Sequence, residues 1–434
     1  MIKSKFEYFK DTSIKFIDGD RGTNYPSKTE FFREGHCLFL DTKNVTEVGF
    51  KFDKAVFISK EKDKLLGKGK LQRGDIVLTS RGTLGNIAFY GDDIPYADIR
   101  INSGMLIVRS DTNEYSPYYL YIFLRSNIFK WQYERISSGS AQPQLPVHSL
   151  KNASILKRDL DTQRKIEECI RCLDDKIKLN SKIESELEEM TKSIYNYWFV
   201  QFDFPDENGK PYKSSGGKMV FNQVLKREIP DGWNVISLGN IIVKSGTGLN
   251  PRDNFKLGEG DNYYITIKNI KNGKIIFNNK TDRISDKSLE IINKRSDLQI
   301  GDILFTSIDP VGITYFIQEK PKNWNINESV FSLRANKKLL TPEFLLILLS
   351  SKEMKVYTRQ SSAGSIHKGI RHEVLKDFKL SYGGMPIILS FTTILKPLLE
   401  RQHILDAETQ KLTELRDWLL PMLMNGQVRV SEAS

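Results

Sequence analysis

The sequence predicts an α+β chain in which two copies of one globular α/β module are separated by two long, antiparallel, coiled-coil helices. Three observations carry this prediction. Residues 161–199 contain no Gly and no Pro, and place apolar side chains at Ile166, Ile170, Leu173, Ile177, Ile183, Leu187, Met190, Ile194 and Tyr197. Most of these steps are three or four, the spacing of a seam along one helix face, with Lys and Glu between them. Second, much of what precedes this stretch recurs after it at a nearly constant offset. Third, Leu398, Leu405, Leu412 and Leu419 repeat at intervals of seven, with Leu415 beside them. Roughly 40 helical residues make a rod of about 60 Å, too long to be buried in one small domain. Two seams of similar length in one chain are satisfied by packing on each other.

The repeat is specific. Phe39–Val45 (FLDTKNV) matches Tyr264–Ile270 (YITIKNI), an offset of 225 residues. Leu71–Ser80 (LQRGDIVLTS) matches Leu298–Ser307 (LQIGDILFTS), an offset of 227. Ile101-Asn102 matches Ile326-Asn327, and Ser116-Pro117 matches Thr341-Pro342, each Pro opening an apolar helical run. Residues 137–140 (SSGS) meet 361–365 (SSAGS) with a slip of one, and Leu187, Met190 and Ile194 meet Leu412, Leu415 and Leu419. A fixed period marks repeated units, and one this long is a duplicated domain plus spacer rather than a solenoid. If a pseudo-two-fold axis relates the halves, the helices run antiparallel. The boundaries that follow are residues 1–158 for the first module, 159–204 for the first long helix, 205–229 for a linker, 230–384 for the second module and 385–426 for the second long helix.

Within the first module, Asp18–Gly22 is a turn signal, Cys37–Leu40 reads as a buried strand, and Leu71–Tyr90 reads as two strands joined by a Gly-rich loop at Arg81–Gly85. Met105–Arg109 is a further strand. Ser116–Ser126 reads as a helix, with Ser116 as cap and Pro117 at the first position. Residues 205–218 are polar and rich in Gly, Pro and Ser, the composition of a linker. Pro386 and Pro397 bracket the start of the second long helix, which is expected to be shortened or bent there. Gly426 is placed as its stop.

Lys and Arg number 65 against 54 Asp and Glu, a formal net charge of +11. That sign favours a polyanionic partner, nucleic acid before membrane. The apolar runs fall short of the roughly 20 residues needed to cross a bilayer. Met1–Lys10 lacks the apolar core of a secretory signal, and three cysteines cannot build a disulfide framework. The expected compartment is the cytoplasm.

No catalytic or metal constellation stands out. Cys169-x-x-Cys172 has the inner spacing of a zinc half-site, but no second pair follows, and both lie on the helix as face residues. His36, His148, His367, His372 and His403 are the only histidines. The repeated Gly-Asp-Ile places Asp75 and Asp302 as turn-bonding residues before buried strands rather than as catalytic acids. No phosphate loop, no Gly-x-Ser-x-Gly turn and no amino-methyltransferase signature of the Asn/Asp-Pro-Pro-Tyr/Phe type is present. The candidate binding surface is the loops, because core residues are spent on packing. In the first half these loops supply Arg21, Tyr25, Lys43, Asn44, Ser80, Arg81, Thr83, Ser138, Ser140 and Gln142. In the second they supply Lys268, Asn269, Ser307, Ser362, Ser365, His367, Lys368 and Arg371. Arg and Lys suit guanine edges and phosphates, and Asn and Gln suit adenine. The strands of the halves agree while the loops differ. Arg81-Gly82-Thr83-Leu84-Gly85 stands where the second half has Ile308-Asp309-Pro310-Val311-Gly312, which implies two readers of unlike sequences. A repeat-built scaffold that contacts only proteins fits the helices and the duplication equally well, but fits the charge and the polar loops less well. A self-contained enzyme would need motifs not found here.

Leu71–Tyr90 with Leu298–Phe316, the SSGS and SSAGS loops, Asn180–Phe199 ending SIYNYWF, and Leu415–Val428 (LRDWLLPMLMNGQV) together resemble the specificity subunit of type I restriction–modification systems. The resemblance spans essentially the whole chain. It implies that each module is a target-recognition domain reading one half of a bipartite, asymmetric DNA site, and that the helices set the gap. It also implies two modification (methyltransferase) subunits as partners, joined by restriction subunits. No cofactor is then expected in this chain; S-adenosylmethionine, ATP and Mg belong to the partners.

Overall fold

The structure is a computed structural model that describes residues 6–137, 144–252, 254–362, 369–428 and 430. The chain divides into two compact units, residues 1–181 with 407–434, and residues 182–406. Each unit therefore contains one module and one segment of each long helix.

The two modules share a topology. The first holds an antiparallel sheet in the spatial order Lys15–Asp18, Met105–Arg109, Ile76–Thr79, Ile87–Phe89. A second sheet runs Phe57–Ile58, Cys37–Leu40, Ile99–Ile101, the last pair parallel. The second module repeats both. Its four strands are Ile242–Thr247, Val330–Ala335, Ile303–Thr306 and Thr314–Phe316, and its three are Arg283–Ile284, Asn262–Ile265 and Trp324–Ile326, again with a parallel pair. The central strands Ile76–Thr79 and Ile303–Thr306 are buried at every position, as strands covered on both faces must be.

The Gly-Asp-Ile turns explain why these strands recur. Gly74 and Gly301 sit at φ 87° and 90°, a region that costs other residues strain. The adjoining carboxylates close the turn: Asp75 accepts from the Gln72 amide at 2.7 Å and Asp302 from the Gln299 amide at 3.0 Å. Each then takes a guanidinium from the neighbouring strand, Arg109 Nε at 2.7 Å and Arg334 Nε at 2.6 Å. Both aspartates are buried and each carboxylate is matched to an arginine, a structural use that leaves no free base.

The first long helix runs Leu160–Tyr195 and ends in a π turn, Asn196–Val200; the second runs Met385–Asn425. The Asp159 carboxylate caps the first helix, accepting from the Thr162 amide at 2.8 Å. Within the first unit the helices run antiparallel, because Asp174 meets Arg416 at 3.0 Å while Asn180 meets Glu408 at 2.9 Å. The same sense holds within the second unit, where Gln402 Nε2 donates to the Glu184 carbonyl at 3.3 Å and Tyr195 packs on Phe391.

Three expectations need correction. The second helix is not shortened at its prolines. It starts at Met385 and, at 41 residues against 36, is the longer of the two. Pro386 falls in the first turn, where a missing N–H has no partner to lose, and Pro397 is exposed, where water can serve the carbonyl its ring leaves unbonded. The seam is also narrower than the apolar spacing suggests. Leu405 is fully buried; Ile177, Ile183, Leu187, Ile194, Leu398, Leu412 and Leu419 are half-buried; Met190 and Leu415 are exposed. A pair of helices shares one narrow line of contact, so residues flanking it stay in water. Polar Asn180 and Thr191 are buried in the helices instead. Finally, the stretch expected as a linker is structured. Phe204 stacks between Tyr212 and Trp233 at 4.8 and 5.1 Å, and Met219–Asn222 pairs with Arg227–Pro230.

The helix ends complete the module cores. Ile166, Ile170, Leu420, Leu423 and Met424 pack with the aromatic helix Pro117–Arg125 in the first unit. In the second, Tyr195, Trp198 and Phe199 pack with Phe344 and Phe391. Phe391 is fully buried among them. Phe391→Ala should therefore cost about 3–5 kcal/mol, read as an earlier denaturant midpoint for the second unit with the first unchanged. A loss below about 1 kcal/mol, the range of ordinary surface changes, would mean that this aromatic cluster does not hold the second unit together.

Candidate nucleic-acid interface

In the first module three chain segments converge at one end of the four-stranded sheet. The turn after Lys15–Asp18 brings Arg21, the end of the central strand brings Ser80 and Arg81, and the segment Gln144–His148 closes the third side. They enclose a concavity of about 280 Å³. Backbone pairing fixes the approach: the Leu145 amide donates to the Ser80 carbonyl at 3.0 Å, and Arg81 bridges to Gln144. Arg21 and Arg81 are exposed; Arg21 is oriented by Asp18 at 3.1 Å and donates to the Ser103 carbonyl at 3.3 Å. With His148 on the rim, the opening carries cationic donors over a buried serine. Beside the Val45–Phe50 hairpin, Lys43 and Thr83 line a second, more open groove of about 470 Å³ with Val48 at its edge.

The second module repeats the convergence with other side chains. The Ile370 amide donates to the Ser307 carbonyl at 2.8 Å and Ile308 bridges to Gly369, the counterparts of the pairing at Leu145 and Arg81. Ser307 is buried, its hydroxyl donating to the Ser329 carbonyl at 2.8 Å. Arg371 is exposed at the start of the short helix His372–Lys376, and Lys268 is exposed on its own loop.

Several expected contact residues serve the fold instead. Asn44 and Asn269 are buried. The Asn44 Oδ1 accepts from the Asp41 amide at 2.9 Å and its Nδ2 donates to the Lys51 carbonyl at 2.9 Å. Asn269 accepts from the Thr266 amide at 3.0 Å and donates to the Thr281 hydroxyl at 3.1 Å. Neither amide is free to read a base. Tyr25 packs edge-on against Phe39 at 5.7 Å, and burial pushes its phenol up from the usual value. Ser138, Ser140, Gln142, Ser365, His367 and Lys368, with the side chain of Ser362, lie outside the described residues.

Two arrangements resemble chemistry. His36, Asp63 and Asp98 approach one another with the geometry of metal ligands. Lys70 Nζ lies between the two carboxylates, at 2.6 Å from Asp63 and 2.8 Å from Asp98, and Arg100 Nε adds a bond to Asp63 at 2.5 Å. These cations already match the acidic charge. Nothing local in the sequence signals this network, because its members are scattered over 64 positions from His36 to Arg100. Ser245 Oγ lies 3.0 Å from His372 Nδ1, the separation of a nucleophile and its base. A working pair needs a group orienting the imidazole's other nitrogen; here His372 Nε2 is buried without a partner and the ring packs edge-on against Phe331, with centroids 3.8 Å apart. Cys169 is half-buried and Cys172 exposed on the first long helix. Among the described residues, no helix is long and apolar enough to cross a membrane.

A duplicated module with polar loops at matching sheet ends, packed on segments of two long helices, defines a two-domain repeat protein whose loops are its variable surface. Residues 21–189 and 230–388 match the model of the type I restriction modification DNA specificity domain, and the chain belongs to that family. It is 25% identical to the specificity subunit of the type I restriction enzyme MjaIX of Methanocaldococcus jannaschii, across 100% of this chain and 99% of that protein. To the HindI specificity subunit of Haemophilus influenzae it is 24% identical, across 94% of this chain and 98% of that one. Its fold is similar to the crystal structure of the type I restriction–modification S subunit from M. genitalium, with a TM-score of 0.57, 14% identity, and 98% and 97% of the two chains covered.

Burial, then the nearby Lys376 charge, holds the His372 imidazole below the usual 6.5. The sign follows. Above that value both folded and unfolded chains carry a neutral ring, whereas below it the unfolded chain binds a proton that the folded one resists, so stability falls as pH falls. The second unit should lose stability between pH 7 and 5 (about one to two units around the imidazole's ordinary value). His372→Gln should flatten that loss. Parallel pH profiles for wild type and variant in thermal unfolding would place the proton elsewhere.

Proposed function

We propose that this chain is the non-catalytic, DNA-reading subunit of a type I restriction–modification assembly. Each module reads one half of a bipartite, asymmetric site, and the helices set the gap and dock two modification subunits, which restriction subunits join. Methyl transfer from S-adenosylmethionine, and translocation and cleavage driven by ATP with Mg, belong to those partners. The observation that carries the reading is a shared scaffold with unlike loops: one backbone convergence presents Arg21, Arg81 and His148 in the first module and Ile308 and Arg371 in the second. Two identical half-sites would call for two identical loop sets. The net charge of +11 supports a phosphate-rich partner.

Replacing residues 1–158 by another family member's first module should change one half of the methylated sequence and leave the other half and the gap intact. A change in both halves, or in neither, would refute modular reading. At finer grain, Arg21→Ala with Arg81→Ala should weaken binding of a duplex carrying the target by about 1–3 kcal/mol per lost contact. Salt titration then separates the roles: a phosphate contact lowers the salt slope by about one for each arginine, whereas a base contact leaves the slope and relaxes the sequence preference. Wild-type affinity and slope would remove these arginines from the interface.

A further inference from the structure

In each unit a three-residue charge cluster joins the module to both long helices, and the two clusters have opposite polarity. In the first unit Asp174 of the first long helix receives Arg125 from the module at 2.8 Å and Arg416 from the second long helix at 3.0 Å. Burial raises the Asp174 pKa, but the two arginines outweigh it and hold the carboxyl below its usual range. In the second unit the central charge is a lysine. Lys274, on the Ile270–Ile275 hairpin of the second module, donates to Glu184 of the first long helix at 2.9 Å and pairs with Asp406 of the second at 2.5 Å. The second Glu184 oxygen is buried without a partner, so this carboxylate depends on the lysine.

The matching hairpin of the first module is built differently. Gly49 stands at the position equivalent to Lys274, an added Cβ there would meet nothing within 4 Å, and the adjoining Val48 is 95% exposed. One hairpin thus ends in solvent beside a groove, while its duplicate ends in a lysine reaching both helices. The hairpin is joined to its own module through buried Ile270 and half-buried Ile275, and Lys274 adds a tie from it to both helices.

We propose that Lys274 is a positioning residue that fixes the angle of the second module on the helix pair, and so restricts the assembly to one gap between half-sites. The gap part rests on the bipartite reading above; the angular part does not. Lys274 and Asp406 are partly in water, where an ion pair adds little to global stability, so the expected signature is geometric. The test uses the full chain with Cys169 and Cys172 changed to Ser, spin-labelled at exposed Lys271 and Ser185. The double variant Lys274→Met, Glu184→Gln, which removes the lysine together with the more buried of its two carboxylates and leaves Asp406 partly in water, should broaden the label-to-label distance distribution while melting close to wild type. Lys274→Arg should restore the narrow distribution. In complexes with the modification subunits, the double variant should methylate sites whose gap is one base pair off at about tenfold the wild-type rate, equivalent to roughly 1.4 kcal/mol of lost preference, with both half-sites unchanged. An unbroadened distribution overturns the angular role. A broadened distribution with a single wild-type gap overturns the link to gap length. Altered half-site sequences would count against the bipartite reading itself.

Discussion

The antiparallel pairing of the two long helices is the constraint on which everything else depends. Neither module is complete without both. The first unit needs Ile166 and Ile170 from one helix and Leu420, Leu423 and Met424 from the other, and the second needs Tyr195 to Phe199 from one and Phe391 to Leu399 from the other. Residues separated by more than 190 positions must therefore meet before either core closes. Loop closure over such distances is slow but only logarithmically costly, and large apolar and aromatic side chains at the helix ends offset it. Buried Asn180, whose Nδ2 donates to the half-buried Glu408 at 2.9 Å, adds direction to that adhesion, because a buried amide finds a partner in few registers.

Much of this was legible in the sequence, for physical reasons. The duplication showed itself wherever backbone geometry restricts residue choice: at Gly74 and Gly301, at the turn-closing aspartates, and at Pro117 and Pro342 opening their helices. Short buried strands such as Cys37–Leu40 were visible as apolar runs. What escaped was mostly a matter of competing uses for one residue type. Asn44 and Asn269 have the chemistry of adenine readers, but the same amide geometry closes a backbone turn, and sequence alone does not choose. Met190 and Leu415 sit at seam spacing yet stay exposed, while their neighbours along the seam are half-buried. The charge clusters at Asp174 and Lys274 join residues from three separate regions, so no local pattern announces them.

The loops at the sheet ends carry the consequence for function. Their backbones are pinned by the same pairs in both modules, Leu145 to Ser80 and Ile370 to Ser307, so side chains can change without moving the frame. Arg81-Gly82-Thr83 and Ile308-Asp309-Pro310 are two fillings of one mould. Under the proposed function, such separation between a fixed frame and variable tips lets two dissimilar readers arise from a duplicated gene segment, and leaves the helices to decide only how far apart the readers stand.

That division of labour is tested most directly by lengthening both helices together. Seven residues inserted at Asn180 and seven at Leu405 preserve the seam, because two turns consume close to seven residues, and add about 10.5 Å of rise. Methylome sequencing of cells carrying the lengthened chain with its partner subunits should then find both half-sites intact and the gap longer by about three base pairs at roughly 3.4 Å each. An unchanged gap with full methylation, or new half-site sequences, would contradict the account.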